Sequence, residues 1–101
     1  MRKKLGIYVT SDHHLDKLIE LCRAAERKDV ETWVFLTHIG TRLTMDPRFT
    51  ELARIAKVAL CSEGFKDNNL QKPVAGLDEK GFASQAWHAE MIHDCDRYLT
   101  F

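Results

Sequence analysis

Hydrophobic and polar positions follow two different periods along this chain, and the points where the period changes divide it into elements. The run Leu5-Gly6-Ile7-Tyr8-Val9-Thr10 is apolar, partly β-branched and ends in turn-forming residues, which predicts a strand. Behind it, Leu15, Leu18, Ile19, Cys22 and Ala25 recur at helical spacing while Lys17, Glu20 and Arg23 fall on the other side. Ser11 or Asp12 is expected to cap that helix. Thr32-Trp33-Val34-Phe35-Leu36-Thr37 predicts a second strand whose lack of alternation implies burial on both faces, as in a parallel sheet. A short helix is expected within residues 38–45. Asp46-Pro47 then restarts the chain as N-cap and first helical residue, and Phe49, Leu52, Ile55 and Ala56 form the buried stripe of a helix.

Lys57 to Cys61 predicts a third strand, and Ser62 is placed to cap a short helix ending near Asn68-Asn69. Residues 71–80 carry Pro73, Gly76 and several charges and predict an exposed loop. A last helix is expected from Gly81 to about Asp94. Its apolar residues spread widely: Phe82, Ala86 and Ala89 on one side, Trp87, Met91 and Cys95 on another. Such a helix is expected to bury two faces, one against the sheet and one against a partner subunit. Arg97 to Phe101 predicts a final strand. The order β-α-β-(α)α-β-α-β implies a three-layer α/β/α domain over residues 1–101, with a mostly parallel sheet of four to five strands joined by right-handed crossovers. That is a Rossmann-like or flavodoxin-like architecture.

Composition narrows the function classes. With 101 residues, 45% apolar and 30% charged, the chain matches a single globular domain with its own core. Fifteen basic side chains balance fifteen acidic ones, so bulk charge gives no reason to expect nucleic acid or an anionic membrane as partner. The apolar segment behind Met1-Arg2-Lys3-Lys4 stops at Thr10, too short for a signal-peptide core or a membrane span. Cys22, Cys61 and Cys95 are odd in number, widely spaced and without a CxxC pair. Reduced thiols and a cytoplasmic location are therefore expected, with no zinc knuckle or thioredoxin-type motif.

Ligands of open parallel sheets bind beyond the carboxyl ends of the strands. The predicted elements put Asp12, His13 and His14 after the first strand, His38 after the second and Cys61 at the end of the third. Cys61 is a candidate nucleophile because a thiol ahead of a helix meets the positive dipole end and free N–H groups, which favour thiolate. The competing reading is a small buried hydrophobe. Cys22 falls on the apolar helix stripe and reads as core. Cys95, flanked by Asp94 and Asp96 at the opposite sheet edge, reads as structural or as a solvent-facing bystander. His13 and His14 diverge as neighbours, so joint metal ligation is not expected; a site of Cys61 with histidines lacks zinc-ligand spacing. His88 and His93 do not share a helix face and read as surface or interface residues. "TSDHHLD" lacks the glycines of a dinucleotide-binding turn, and Ser84 has no triad partners.

Strand one running into "VTSDHHLDKLIELCRAA", with "FLTHIGTRL", "ELARIAKVALCSEGFKDNNL" and "AEMIHDCDRYLTF", resembles the DsrE/DsrF-like proteins over nearly the whole chain. The most specific part is a cysteine ending the third strand and entering a short helix. The resemblance implies a small α/β/α layer that assembles as a homo-oligomer, a trimer or hexamer. It implies a sulfur-relay role in sulfur oxidation or tRNA thiolation, with sulfur carried as a persulfide on the residue matching Cys61. The partners are then a protein sulfur donor and a protein acceptor, and no cofactor or metal is required. His38 and His13 are expected to assist Cys61 from sheet geometry alone, not from the family. The alternative is a non-catalytic oligomeric or regulatory module in which Cys61 only packs. Exposure of Cys61 separates the two.

Overall fold

The computed structural model describes residues 2–101. It contains the strands β1 (Lys3–Val9), β2 (Val30–Leu36), β3 (Lys57–Cys61), β4 (Phe82–Ala83) and β5 (Arg97–Thr100). The helices are α1 (Leu15–Arg27), α2 (Phe49–Ile55), α3 (Ser62–Asp67) and α4 (Gln85–Asp94), with a 3-10 segment over His38–Met45. All strand pairs are parallel, in the order β4-β3-β2-β1-β5. The expected α/β/α architecture is therefore present with five strands. No helix among the described residues is long and apolar enough to cross a membrane.

Each face of the sheet has its own core. Side chains alternate across a strand, so Ile7, Val9, Val34, Leu36 and Leu60 meet α1, α2 and Phe65 of α3 on one face. Trp33, Phe35 and Ala59 meet Met91 and Trp87 of α4 on the other. Both sets of β2 residues are buried, which is why the strand reads as a continuous apolar run. Gly6 lets α4 approach β1: a Cβ there would stand 3.1 Å from Met91 Cγ and 3.3 Å from Cys95 Sγ. Met91 itself is fully buried.

Several local expectations differ from the observed chain. Phe82 and Ala83 pair with Leu60 and Cys61 as β4 rather than opening the last helix. That helix begins at Gln85, and its N-cap is Ser84, whose Oγ accepts the Ala86 N–H at 3.2 Å. Removing Phe82 from the helix explains much of its wide apolar spread. At α1 the N-cap is His14, with no side-chain cap, so Ser11 and Asp12 do not serve. Asp46 Oδ1 accepts the Arg48 N–H at 2.8 Å in a turn ahead of α2, whose N-cap is Arg48. Cys61, not Ser62, is the N-cap residue of α3. Within the 71–80 loop, Val74 is buried and bridges to Leu77.

Candidate functional site

The connections after β1, β2 and β3 cross the face that holds α1, α2 and α3, whereas the connection after β4 crosses the opposite face through α4. The chain thus leaves the carboxyl ends of β3 and β4 in opposite directions. Such a switch point opens a crevice, the usual ligand position in parallel α/β sheets. A cleft of about 650 Å³ lies there, within the range of small-molecule sites. Cys61, Ser62 and Glu63 form one wall, and Ala83, Ser84 and Gln85 the other.

Cys61 reaches this cleft for identifiable reasons. Its backbone continues β3 in an extended conformation and pairs with Ala83. Parity directs its side chain to the face of Ala59 and Trp87, and it packs at the rim of that cluster without full burial. The turn that follows is held from behind by the 3-10 segment. Thr41 Oγ1 donates to the His38 carbonyl at 2.9 Å, and the Asn68 amide donates to His38 O, Thr41 Oγ1 and Gly64 O within 3.0 Å. Gly64 packs directly on that segment: a Cβ there would come 3.2 Å from the His38 nitrogen, a tight approach that a shift of a few tenths of an ångström relieves. Across the cleft, Gln85 Nε2 donates to the buried Thr37 hydroxyl at 3.4 Å.

The other sequence candidates fall elsewhere. His38 has φ 51° and an exposed side chain that does not line the cleft; its contribution to the region is its carbonyl. His13 is exposed, 3.3 Å from Asp12, at the end of β1, and β2 separates that strand from β3. Strand order thus keeps His13 away from Cys61. Among the described residues no group of three or more His, Cys, Asp or Glu could hold a metal ion. Cys22 is fully buried, and that burial pushes its thiol up to about 11. Burial also raises Cys95, and Asp94, Asp96 and Glu31 add to the effect against Lys4. All three cysteines are free. Ser84 and Gln85 went unrecognised as site residues because they follow a strand too short to show periodicity.

Beside the site, an aromatic stack ties α4 to the sheet edge. The His88 ring lies 4.0 Å from Tyr8 and 5.6 Å from Phe35, and its Nε2 is 2.8 Å from the Tyr98 hydroxyl. Desolvation there lowers the His88 pKa below its usual value. A depressed histidine contributes stability that is fully present above the unfolded pKa of about 6.5 and is lost as pH falls through the lower folded value. The thermal midpoint should therefore fall between pH 7.5 and 5.5, and it should fall less in His88→Gln. The other four histidines are exposed, which makes circular dichroism melts of the two proteins a direct comparison. No family model, curated protein or solved structure matches this chain.

Proposed function

We propose that this protein is a sulfur carrier acting through Cys61, in the manner of the DsrE/DsrF-like proteins that its sequence resembles. One observation carries the reading: Cys61 is the only cysteine among the described residues that lines the switch-point cleft, and it is partly exposed there. Cys22, by contrast, is fully covered, and Cys95, though also partly exposed, lies outside the cleft.

The thiolate of Cys61 attacks the outer sulfur of a donor persulfide, R–S–SH. A sulfur–sulfur bond forms to Cys61, the donor's bond breaks, and the donor leaves as R–S⁻. A thiolate of the acceptor then attacks the outer sulfur of Cys61–S–SH and releases Cys61 as thiolate. Electrons balance without an outside oxidant or cofactor, and rates follow thiol–disulfide exchange, which requires access to the attacked sulfur. The hydroxyls of Ser62 and Ser84 and the amide of Gln85 offer hydrogen bonds to the terminal sulfur. Donor and acceptor are proteins in the cytoplasm. The exposed outer side of α4, with Ala86, Ala89 and Ile92, supports work as a homo-oligomer.

Intact-mass measurement after incubation of the reduced protein with inorganic polysulfide tests this. The wild type should gain sulfur that reductant removes, and Cys61→Ser should gain none. Equal uptake by Cys61→Ser would move the chemistry to another thiol. Absence of uptake by a Cys61 that still reacts with an alkylating reagent would favour the non-catalytic interaction module.

A further inference from the structure

At the opposite end of the sheet from Cys61, the starts of β1, β2 and β5 and the last turn of α1 enclose a second cleft of about 520 Å³. Its floor is apolar, built from Leu5, Leu21, Ala24, Ala25 and Val30. The topology leaves it open, because α1 and α2 cover β1 to β3 on this face while every residue of β5 remains exposed.

Cations predominate on the rim. Lys3, Lys28 and Arg97 border the cleft, and none of them has a carboxylate partner among the described residues. Lys4 also borders it, but its ammonium lies over the Trp33 ring on the other face of the sheet. One acid is present: Asp96, whose Oδ2 accepts the Lys4 N–H at 2.8 Å. The carbonyl end of α1 adds about half an elementary negative charge. Three cations exceed both, so the rim is net positive in a chain whose formal charge is zero.

We propose that this cleft binds a small amphipathic anion, a medium-chain aliphatic carboxylate, with its chain on the Leu5, Leu21 and Ala24 floor and its head group among Lys3, Lys28 and Arg97. The volume is that of a small-molecule site. The charge also disfavours a second copy of this chain, since a two-fold contact would set the same three cations against one another. The proposal is independent of the chemistry at Cys61.

Titration of the isotopically labelled full chain with octanoate, followed by amide chemical shifts, is the test, with octanol as the neutral probe of matched length. Octanoate should saturate, with shifts concentrated at residues 3–5, 21–28 and 96–97, and should bind at least about tenfold more tightly than octanol, or about 1.4 kcal/mol. The double variant Lys3→Gln, Arg97→Gln changes exposed side chains only, and its spectrum reports its own folding. It should lose most of the octanoate preference while octanol binding stays the same. Equal affinity for the two probes, shifts centred on another surface, or no saturation at millimolar octanoate would each overturn the proposal.

Discussion

Phe35→Ala will lower the free energy of unfolding by about 3–5 kcal/mol, the range for removing a fully buried aromatic ring. Phe35 has no solvent exposure and stands near the carboxyl end of the central strand. Its ring is stacked 5.7 Å from Trp87 and 5.6 Å from His88, both on α4, and 6.2 Å from Tyr8. These pairs add roughly 0.5–1.5 kcal/mol each beyond buried area, which places the loss in the upper half of that range. A domain of this size has about 5–15 kcal/mol in total, so the variant should fold with a much lower urea midpoint and an unchanged m-value. Phe35→Leu, which keeps most of the volume, should lose less than half as much. A loss below about 1 kcal/mol for Phe35→Ala would mean that α4 does not rest on this ring, and the second core would have to be redrawn.

How much of this was readable beforehand depends on how far each feature is local. The burial of β2 on both faces could be read directly, because four consecutive apolar residues, Trp33 to Leu36, leave no polar face. Cys22 could be read too, since helical spacing puts it among Leu15, Leu18 and Ile19. β4 could not. Two residues have no period, and Phe82-Ala83 becomes a strand only because β3 presents Leu60 and Cys61 beside it. Missing β4 also hid the switch point, and with it the wall formed by Ser84 and Gln85. Cys61 is legible in the sequence because its place at a strand end is local information. The same rule groups the histidines with it, because it puts every strand's carboxyl end on one edge. That rule is silent on strand order, and the order β4-β3-β2-β1-β5 leaves His13 beyond β2. His38 follows the neighbouring strand, yet a left-handed backbone conformation turns its carbonyl, rather than its ring, into the useful group.

Gly40→Ala should be the most damaging single methyl group in the chain. A Cβ at Gly40 would stand 2.5 Å from the Val9 carbonyl oxygen and 3.0 Å from its carbon. Both are backbone atoms of β1, and that oxygen already accepts the Thr37 N–H at 2.9 Å. Neither can rotate away as a side-chain tip could. The 3-10 segment must therefore lift, stretching the Gly40 N–H to Thr37 carbonyl bond of 2.8 Å and the strand-end bond beneath it. Overpacking of this kind costs about 1–3 kcal/mol and sometimes more; with backbone on both sides, about 3 kcal/mol is expected. The reduced freedom of alanine in the unfolded chain returns only about 0.4–1 kcal/mol. Gly64→Ala is the matched control. Its closest contact is 3.2 Å, and it lies inside α3, where alanine is the better helix former by about 1 kcal/mol. Its net effect should be small. The two variants also separate stability from site geometry, because His38 and Thr41 of the lifted segment are what Asn68 and Gly64 hold behind Cys61. Gly40→Ala should therefore speed alkylation of Cys61 under native conditions, as α3 loses its backing. If Gly40→Ala were as stable as the wild type and its Cys61 no faster, the close approach over Val9 would be wrong, and α3 would need some other support to keep Cys61 at the cleft.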